Sequence, residues 1–309
     1  MKKIATVLSL LIIISSVLWA NGGSEILPNL GLKRIEESTI DRINDDGELT
    51  LSAISADIEI FRDNTSDTVS AILTGHASYS IELNSNGSRS SLSIETDRHN
   101  KKNVTTKDLK LEIHLPRTYY GDIHVETISG SITFPAGKLT DVYASTTSGE
   151  IYLSDIETAN ITLQAVSGDI EAIDIISESL GIHTTSGEID ITAKITDTLI
   201  AAAVSGDIEV KGTAETFNVS TTSGEIELDV LEIPKKIDTS SISGEIEITI
   251  PKNLGVKGSV SSVSGDKNIR LPLAQISGGS KKLEFSAPGN TVSITASTIS
   301  GDITIQESR

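Results

Sequence analysis

One tetrapeptide recurs through this chain, and its period limits the fold more than any other feature. Ser-Gly-acid-Ile stands at Ser148-Gly149-Glu150-Ile151, Ser167-Gly168-Asp169-Ile170, Ser186-Gly187-Glu188-Ile189 and Ser205-Gly206-Asp207-Ile208. It returns at Ser223-Gly224-Glu225-Ile226, Ser243-Gly244-Glu245-Ile246 and Ser300-Gly301-Asp302-Ile303. Ser129-Gly130-Ser131-Ile132 is a variant, and so is Ser264-Gly265-Asp266, which lacks the Ile. From Gly130 to Gly265 the successive intervals between these glycines are 19, 19, 19, 19, 18, 20 and 21. The interval from Gly265 to Gly301 is 36, about two periods, with a degenerate Ser277-Gly278-Gly279 inside it. An early copy with Ala56 in the Gly place, Ser55-Ala56-Asp57-Ile58, precedes Gly130 by nearly four periods. A superperiod is superposed: Thr-Thr-Ser-Gly-Glu at 146–150, 184–188 and 221–225 alternates with Val-Ser-Gly-Asp at 166–169 and 204–207.

Each repeat alternates polar and apolar residues on both sides of the Gly, as in Glu225, Ile226, Glu227, Leu228. Period two over short runs marks strands with one buried face. Ser-Gly between two such runs marks a bend. One repeat is thus two short strands that cannot bury an apolar face alone. Stacked repeats can, each pairing its backbone with its neighbours at ~4.8 Å. The expected fold is all-β, a β-solenoid or single-stranded parallel β-helix whose coil is one repeat long. Ile170, Ile189, Ile208, Ile226 and Ile246 then form one interior column, and residues 121–309 make roughly ten coils taken in chain order. A sandwich of hairpins is the rival, but it gives no reason for one side chain to return at every period. Only 3% of the chain is aromatic, which suits a core of aliphatic rows.

Residues 35–120 are less regular. Leu49–Phe61, Val69–Leu73, Ser91–Thr96 and Leu109–Leu115 read as strands, and Asp63-Asn64, Asn84–Gly87 and 98–103 as loops. This stretch is expected to supply variable first coils and an N-terminal cap, because solenoid ends expose unpaired strand edges. Residues 35–309 are read as one domain and 21–34 as a leader. Residues 1–20, MKKIATVLSLLIIISSVLWA, carry two Lys, an apolar run and a terminal small residue, the layout of a secretory signal peptide. Export follows, to periplasm, cell surface or exterior, and the mature chain is expected to carry no transmembrane segment.

At Leu111-Glu112-Ile113-His114-Leu115-Pro116 and Ile123-His124-Val125-Glu126-Thr127-Ile128-Ser129-Gly130 the chain resembles the bacterial β-strand-repeat family known as "putative adhesin", a domain of unknown function. The resemblance covers about residues 35–309. It implies serial strand-and-turn coils and carries over no catalytic residue.

Composition excludes several activities. With no Cys there is no disulfide framework, thiolate-bound zinc or cysteine nucleophile. Asp and Glu outnumber Lys and Arg by 43 to 25, a formal charge of −18, so the basic footprint of nucleic-acid binding is missing. His76, His99, His114, His124 and His183 show no metal-ligand spacing, although His114 and His124 could fall one coil apart. No catalytic, cofactor or metal residue is assigned. The acids Glu150, Asp169, Glu188, Asp207, Glu225, Glu245 and Asp266 are expected to form one outward column, with Glu171, Asp190, Glu209, Glu227 and Glu247 beside it. Such columns can be a solvated face that caps turn N–H groups, a Ca²⁺-binding face, or a docking face for a cationic partner. The expected protein is a non-enzymatic adhesin or envelope scaffold that presents an acidic face to an unidentified protein or surface glycan. The alternative is a carbohydrate-active enzyme on the same fold, which a localised cleft of unlike residues would favour.

Overall fold

The structure, a computed structural model, describes residues 31–97, 105–273, 275–289 and 291–308. The signal-peptide reading of 1–20, most of the leader and the loop at 98–103 lie outside the described residues.

The chain is a β-solenoid. Each coil runs along a first sheet, bends at the Ser-Gly turn, and runs back along a second sheet. Asp141–Ser148 followed by Ile151–Ser154 is one such coil. In the middle of the rod the 17-residue strands Ile170–Ser186 and Ile189–Ser205 pass from the second sheet to the first without a break. Asp155 and Asp174 take left-handed backbone (φ 55 at both) in successive coils, a conformation that Asp tolerates better than most residues.

Interior rows hold the coils together. Pairing runs Ile58, Ile132, Ile151, Ile170, Ile189, Ile208, Ile226, Ile246 and Ile303 in one unbroken register, and every one of these side chains is buried. The expected isoleucine column is therefore present. In the first sheet Leu92, Leu49, Ile123, Val142, Ile161, Leu180, Leu199, Phe217, Ile237 and Ile294 form the opposing row. Burying a full aliphatic side chain is worth ~1.5–3 kcal/mol, so each added rung contributes several such terms against its own ordering entropy.

The order of coils differs from the expected chain order at both ends. First-sheet strands stack in the order beginning at residues 91, 48, 122, 141, 156, 179, 198, 216, 236, 292 and 256, eleven parallel rungs. Nine of these lie beyond Gly121, against roughly ten expected. The last strands in the chain, Val292–Ser300 and Ile303–Glu307, are inserted between the coil at 236–250 and the coil at 256–270. Ser277-Gly278-Gly279 belongs to no coil. It lies in an antiparallel hairpin, Gln275–Gly278 with Lys282–Ser286, that covers the C-terminal edge of the first sheet. At the other end antiparallel strands Lys33–Asp41 and Val69–Ala77 extend the second sheet, and Glu82–Gly87 extends the first. Asn84–Gly87, expected as a loop, is thus part of an edge strand, because the tip of that hairpin falls at 88–90 instead. Arg62 fastens this cap to the regular coils: its guanidinium donates to the carbonyls of Tyr119 and, at 2.9 Å, Lys138. Burial lowers the Arg62 pKa, with the Tyr119 side chain opposing that shift.

The superperiod has a physical basis. Where a Thr-Glu coil follows a Val-Asp coil, two side chains latch the junction. Thr184 donates its hydroxyl to Gly168 O at 3.3 Å, and Asp169 Oδ1 accepts the Glu188 N–H at 2.8 Å. Thr221 with Gly206 and Asp207 with Glu225 repeat the pair. Ser262 with Gly301 and Asp302 with Asp266 repeat it again across the inserted coil.

Candidate functional site

The turn edge of the rod is a strip four rows wide. Its outer row on one side is the acid column, which in rod order reads Asp57, Ser131, Glu150, Asp169, Glu188, Asp207, Glu225, Glu245, Asp302, Asp266. Asp302 therefore stands between Glu245 and Asp266, where the sequence order placed them as neighbours. The two acid types behave differently. Asp57, Asp169, Asp207 and Asp302 each accept the backbone N–H of the next coil at 2.7–2.9 Å, so they do the turn-capping that was one of the three expectations. Glu150, Glu188, Glu225 and Glu245 are exposed and make no ion pair among the described residues.

The second acid row is also assembled. Glu171, Asp190, Glu209, Glu227 and Glu247 are successive register partners on the outer face of the second sheet. Unit charges at ~4.8 Å repel by ~0.9 kcal/mol at the dielectric of water and ~3.5 kcal/mol at an effective dielectric of 20. Glu227 registers this: desolvation first, then Glu209, Glu247 and Asp229, push its carboxyl above the usual range. Among the described residues relief comes at the ends of the row. Gln306 Nε2 donates to Glu247 Oε1 at 2.6 Å. On the N-terminal cap Lys110 bridges Glu59 and Glu112 at 2.8 and 3.0 Å.

A third locus breaks the repeat. Glu48, Asp122 and Asp141 lie in one row on the outer face of the first sheet, continued by Asn160. They line a depression of about 250 Å³ with His124 and Tyr143, whose rings stack at 4.3 Å. Asn160 donates to Asp141 Oδ1 at 2.8 Å, and the Asp141 N–H to Asp122 Oδ1 at 3.2 Å. Desolvation and the neighbouring Asp141 raise the Asp122 carboxyl, with a smaller push from Glu48. The interval from Glu48 to Asp122 equals that from Ala56 to Gly130, and the interval from Asp122 to Asp141 equals that from Gly130 to Gly149. The signal is therefore present in the sequence, masked by the more conspicuous Ser-Gly turns. His114 does not join His124. It faces out from the second sheet, stacked on Phe61 at 5.3 Å, because the turn at 117–121 carries the chain to the first sheet before His124.

Among the described residues no group of three or more His, Asp or Glu is arranged to hold a metal ion, and no helix is long and apolar enough to cross a membrane. Fold and surface together define a class: an acidic parallel β-solenoid with capped ends and periodic outer rows. Residues 47–306 match the family Toastrack DUF4097, and the chain belongs to that family. Among solved structures it is similar to a "putative adhesin" from Bacteroides fragilis, with 13% identity over 88% of this chain and 97% of that one and a TM-score of 0.46. A "putative adhesin" from Parabacteroides distasonis is 13% identical over 89% and 97% of the two chains, with a TM-score of 0.45. A "putative lipid binding protein" from the same species is 18% identical over 89% and 97%, with a TM-score of 0.38. No curated protein matches the chain.

Proposed function

We propose that this protein is an exported, non-enzymatic binding rod, an adhesin or envelope scaffold that engages a protein or surface glycan along its acidic faces. The observation that carries this reading is the uncompensated second row: five carboxylates in consecutive register from Glu171 to Glu247, with no Lys or Arg paired to any of them among the described residues. Selection for stability alone would interleave cations, because like charges in direct register are destabilising. A row kept acidic at that cost serves recognition, where charge complementarity steers a cationic partner and falls off with salt. Export rests on the N-terminal segment, and cell fractionation with surface proteolysis tests it. Binding of the purified protein to polylysine tests the face. Retention should fall at least tenfold when Glu171, Asp190, Glu209 and Glu227 are replaced by Gln or Asn. Unchanged retention would remove the reading.

The depression at Glu48, Asp122 and Asp141 favours a second reading, saccharide binding or cleavage. It combines a carboxyl held above its usual range with a neighbouring carboxylate one rung away and a ring pair that could seat a sugar face. Rung spacing of ~4.8 Å is near the ~5–5.5 Å carboxyl separation of retaining glycosidases. A polysaccharide screen decides it: turnover that Asp122→Asn abolishes establishes this reading over the scaffold.

A further inference from the structure

The fourth row of the turn edge alternates Thr with exposed Ile or Val through the middle of the rod and is apolar over its last three rungs. In rod order, the residues two places before each Gly or its Ala56 counterpart are Ile54, Ile128, Thr147, Val166, Thr185, Val204, Thr222, Ile242, Ile299 and Val263. Ile128, Val166, Val204, Ile242, Ile299 and Val263 are each 50–60% exposed. The last three stand on consecutive rungs, because insertion of the C-terminal coil brings Ile299 between Ile242 and Val263. Nothing in the solenoid requires Ile or Val here: the Thr coils stack equally well.

The flanks of this rail are unlike. On the first-sheet side the next outward row is neutral from Ser145 onward, through Gln164, His183, Ala202, Ser220, Ser240, Ser297 and Ser261, and carries Glu126 and Glu95 only at its N-terminal end. On the other side, past Ser and Gly, runs the acid column, three positions or ~10 Å away. A ligand that lays apolar groups on the rail from Val166 onward therefore meets negative charge on one side only.

We propose that the rail and acid column form a docking track for a cationic amphipathic helix, which rests on the acidic-face reading above and names the partner's chemistry. The spacing selects a helix over an extended strand. An α-helix repeats its apolar face every ~5.4 Å along its axis, against ~4.8 Å per rung, so the two turns that span the consecutive rungs of Ile242, Ile299 and Val263 slip by only ~1.2 Å. A strand presents same-side residues every ~6.6 Å and loses register by the second contact. Lys or Arg about a quarter-turn from the apolar stripe then faces the exposed carboxylates of Glu188, Glu225 and Glu245.

The test uses the full-length protein and two synthetic peptides of identical Leu/Lys composition, one with Leu at helical i, i+3, i+4, i+7 spacing and one scrambled. The amphipathic peptide is expected to bind at least tenfold more tightly. In the variant carrying Val204→Thr, Ile242→Thr and Ile299→Thr that preference should vanish, while the scrambled peptide binds as before. Thr is the residue that neighbouring coils already hold, and an unchanged melting temperature shows that the rod is intact. Equal binding of both peptides, or a preference that survives in the variant, overturns the track and leaves the acidic-face reading standing. If neither peptide binds, both readings fail.

Discussion

At the scale of single residues the fold depends on a ladder of backbone contacts that admits no Cβ. A Cβ on Gly187 would lie 2.1 Å from the carbonyl oxygen of Gly168, and one on Gly168 would lie 1.8 Å from that of Gly149. The requirement comes from the close approach of successive turns and not from backbone conformation alone. It acts in one direction, each glycine being constrained by the rung that precedes it in rod order, Gly265 by Gly301 and Gly301 by Gly244 included. Ala56 is where it ends: beyond it Asp57 pairs with Lys110 of a strand, so a methyl group fits. Gly181 is different, with only Ile161 O within 4 Å of its added Cβ, at 3.9 Å. Gly187→Ala should therefore cost about 2–3 kcal/mol of stability by forcing two rungs apart. Gly181→Ala should be within about 0.5 kcal/mol of wild type or slightly stabilising. Denaturant melts of the two variants check this, and equal effects would show that the ladder is not the constraint.

At the scale of elements, the sequence identifies which residues share a row but not the order of the rungs. Every coil offers the same isoleucine slot, so periodicity cannot say whether Ile303 sits beyond residue 267 or between it and Ile246. One residue does carry that information. Lys267 occupies the isoleucine slot of its coil, pairing with Ile303 on one side only. A Lys cannot sit between two buried rungs without a partner, so its coil has to be the terminal one, and the next coil in the chain has to enter behind it. The interval from Gly265 to Gly301 reads as two coils because a turn-like Ser-Gly-Gly lies near its middle. That motif turns a hairpin instead, and the hairpin shields the edge that the Lys267 coil leaves open. The cap strands at 69–77, 91–97 and 106–116 are legible from alternation alone, whereas Glu82–Gly87, with Asn, Ser and Gly, has loop composition because it is an exposed edge. The inserted coil has a kinetic signature. Amides of Ile294–Ala296 and Ile303–Ile305, although near the chain terminus, should exchange as slowly as those of Ile226–Leu228. They should be at least tenfold slower than those of Lys267–Arg270 and Gln275–Gly278, since opening an interior rung costs more than fraying an edge. Faster exchange at the C-terminal strands than at Lys267–Arg270 would contradict the insertion.

At the scale of the whole molecule, charge works against compactness. From 141 to 250 the chain has 21 Asp and Glu against 4 Lys, while 251 to 289 has 5 Lys and one Arg against 2 acids, so the C-terminal end is basic and the rod body acidic. The rows are legible in the sequence because identical spacing forces register. Their electrostatic consequence is not, since it depends on which acids are used by backbone N–H groups and which face only one another. Salt at physiological strength screens beyond ~8 Å, so a carboxylate feels its neighbouring rungs and little further along. For Glu227 the folded pKa lies above the unfolded one, through desolvation first and then Glu209, Glu247 and Asp229, and Asp122 is shifted the same way. Between the unfolded and folded values the native state binds more protons than the unfolded chain, so stability falls as pH rises through that window. Asp63, lowered by its hydrogen bonds from Thr65, acts in the opposite direction, but it is one exposed residue against the two raised carboxyls of Glu227 and Asp122. The melting temperature should accordingly be higher at pH 5 than at pH 7.5 in low salt, and the difference should shrink as NaCl is raised. Glu227→Gln removes the charge with the raised pKa, so it should raise the pH 7.5 midpoint by about 1 °C and flatten the pH profile. A midpoint that climbs steadily from pH 5 to 7.5 regardless of salt would mean that the acids are stabilised by cations the rod itself supplies, and that the rows are not free to meet a partner.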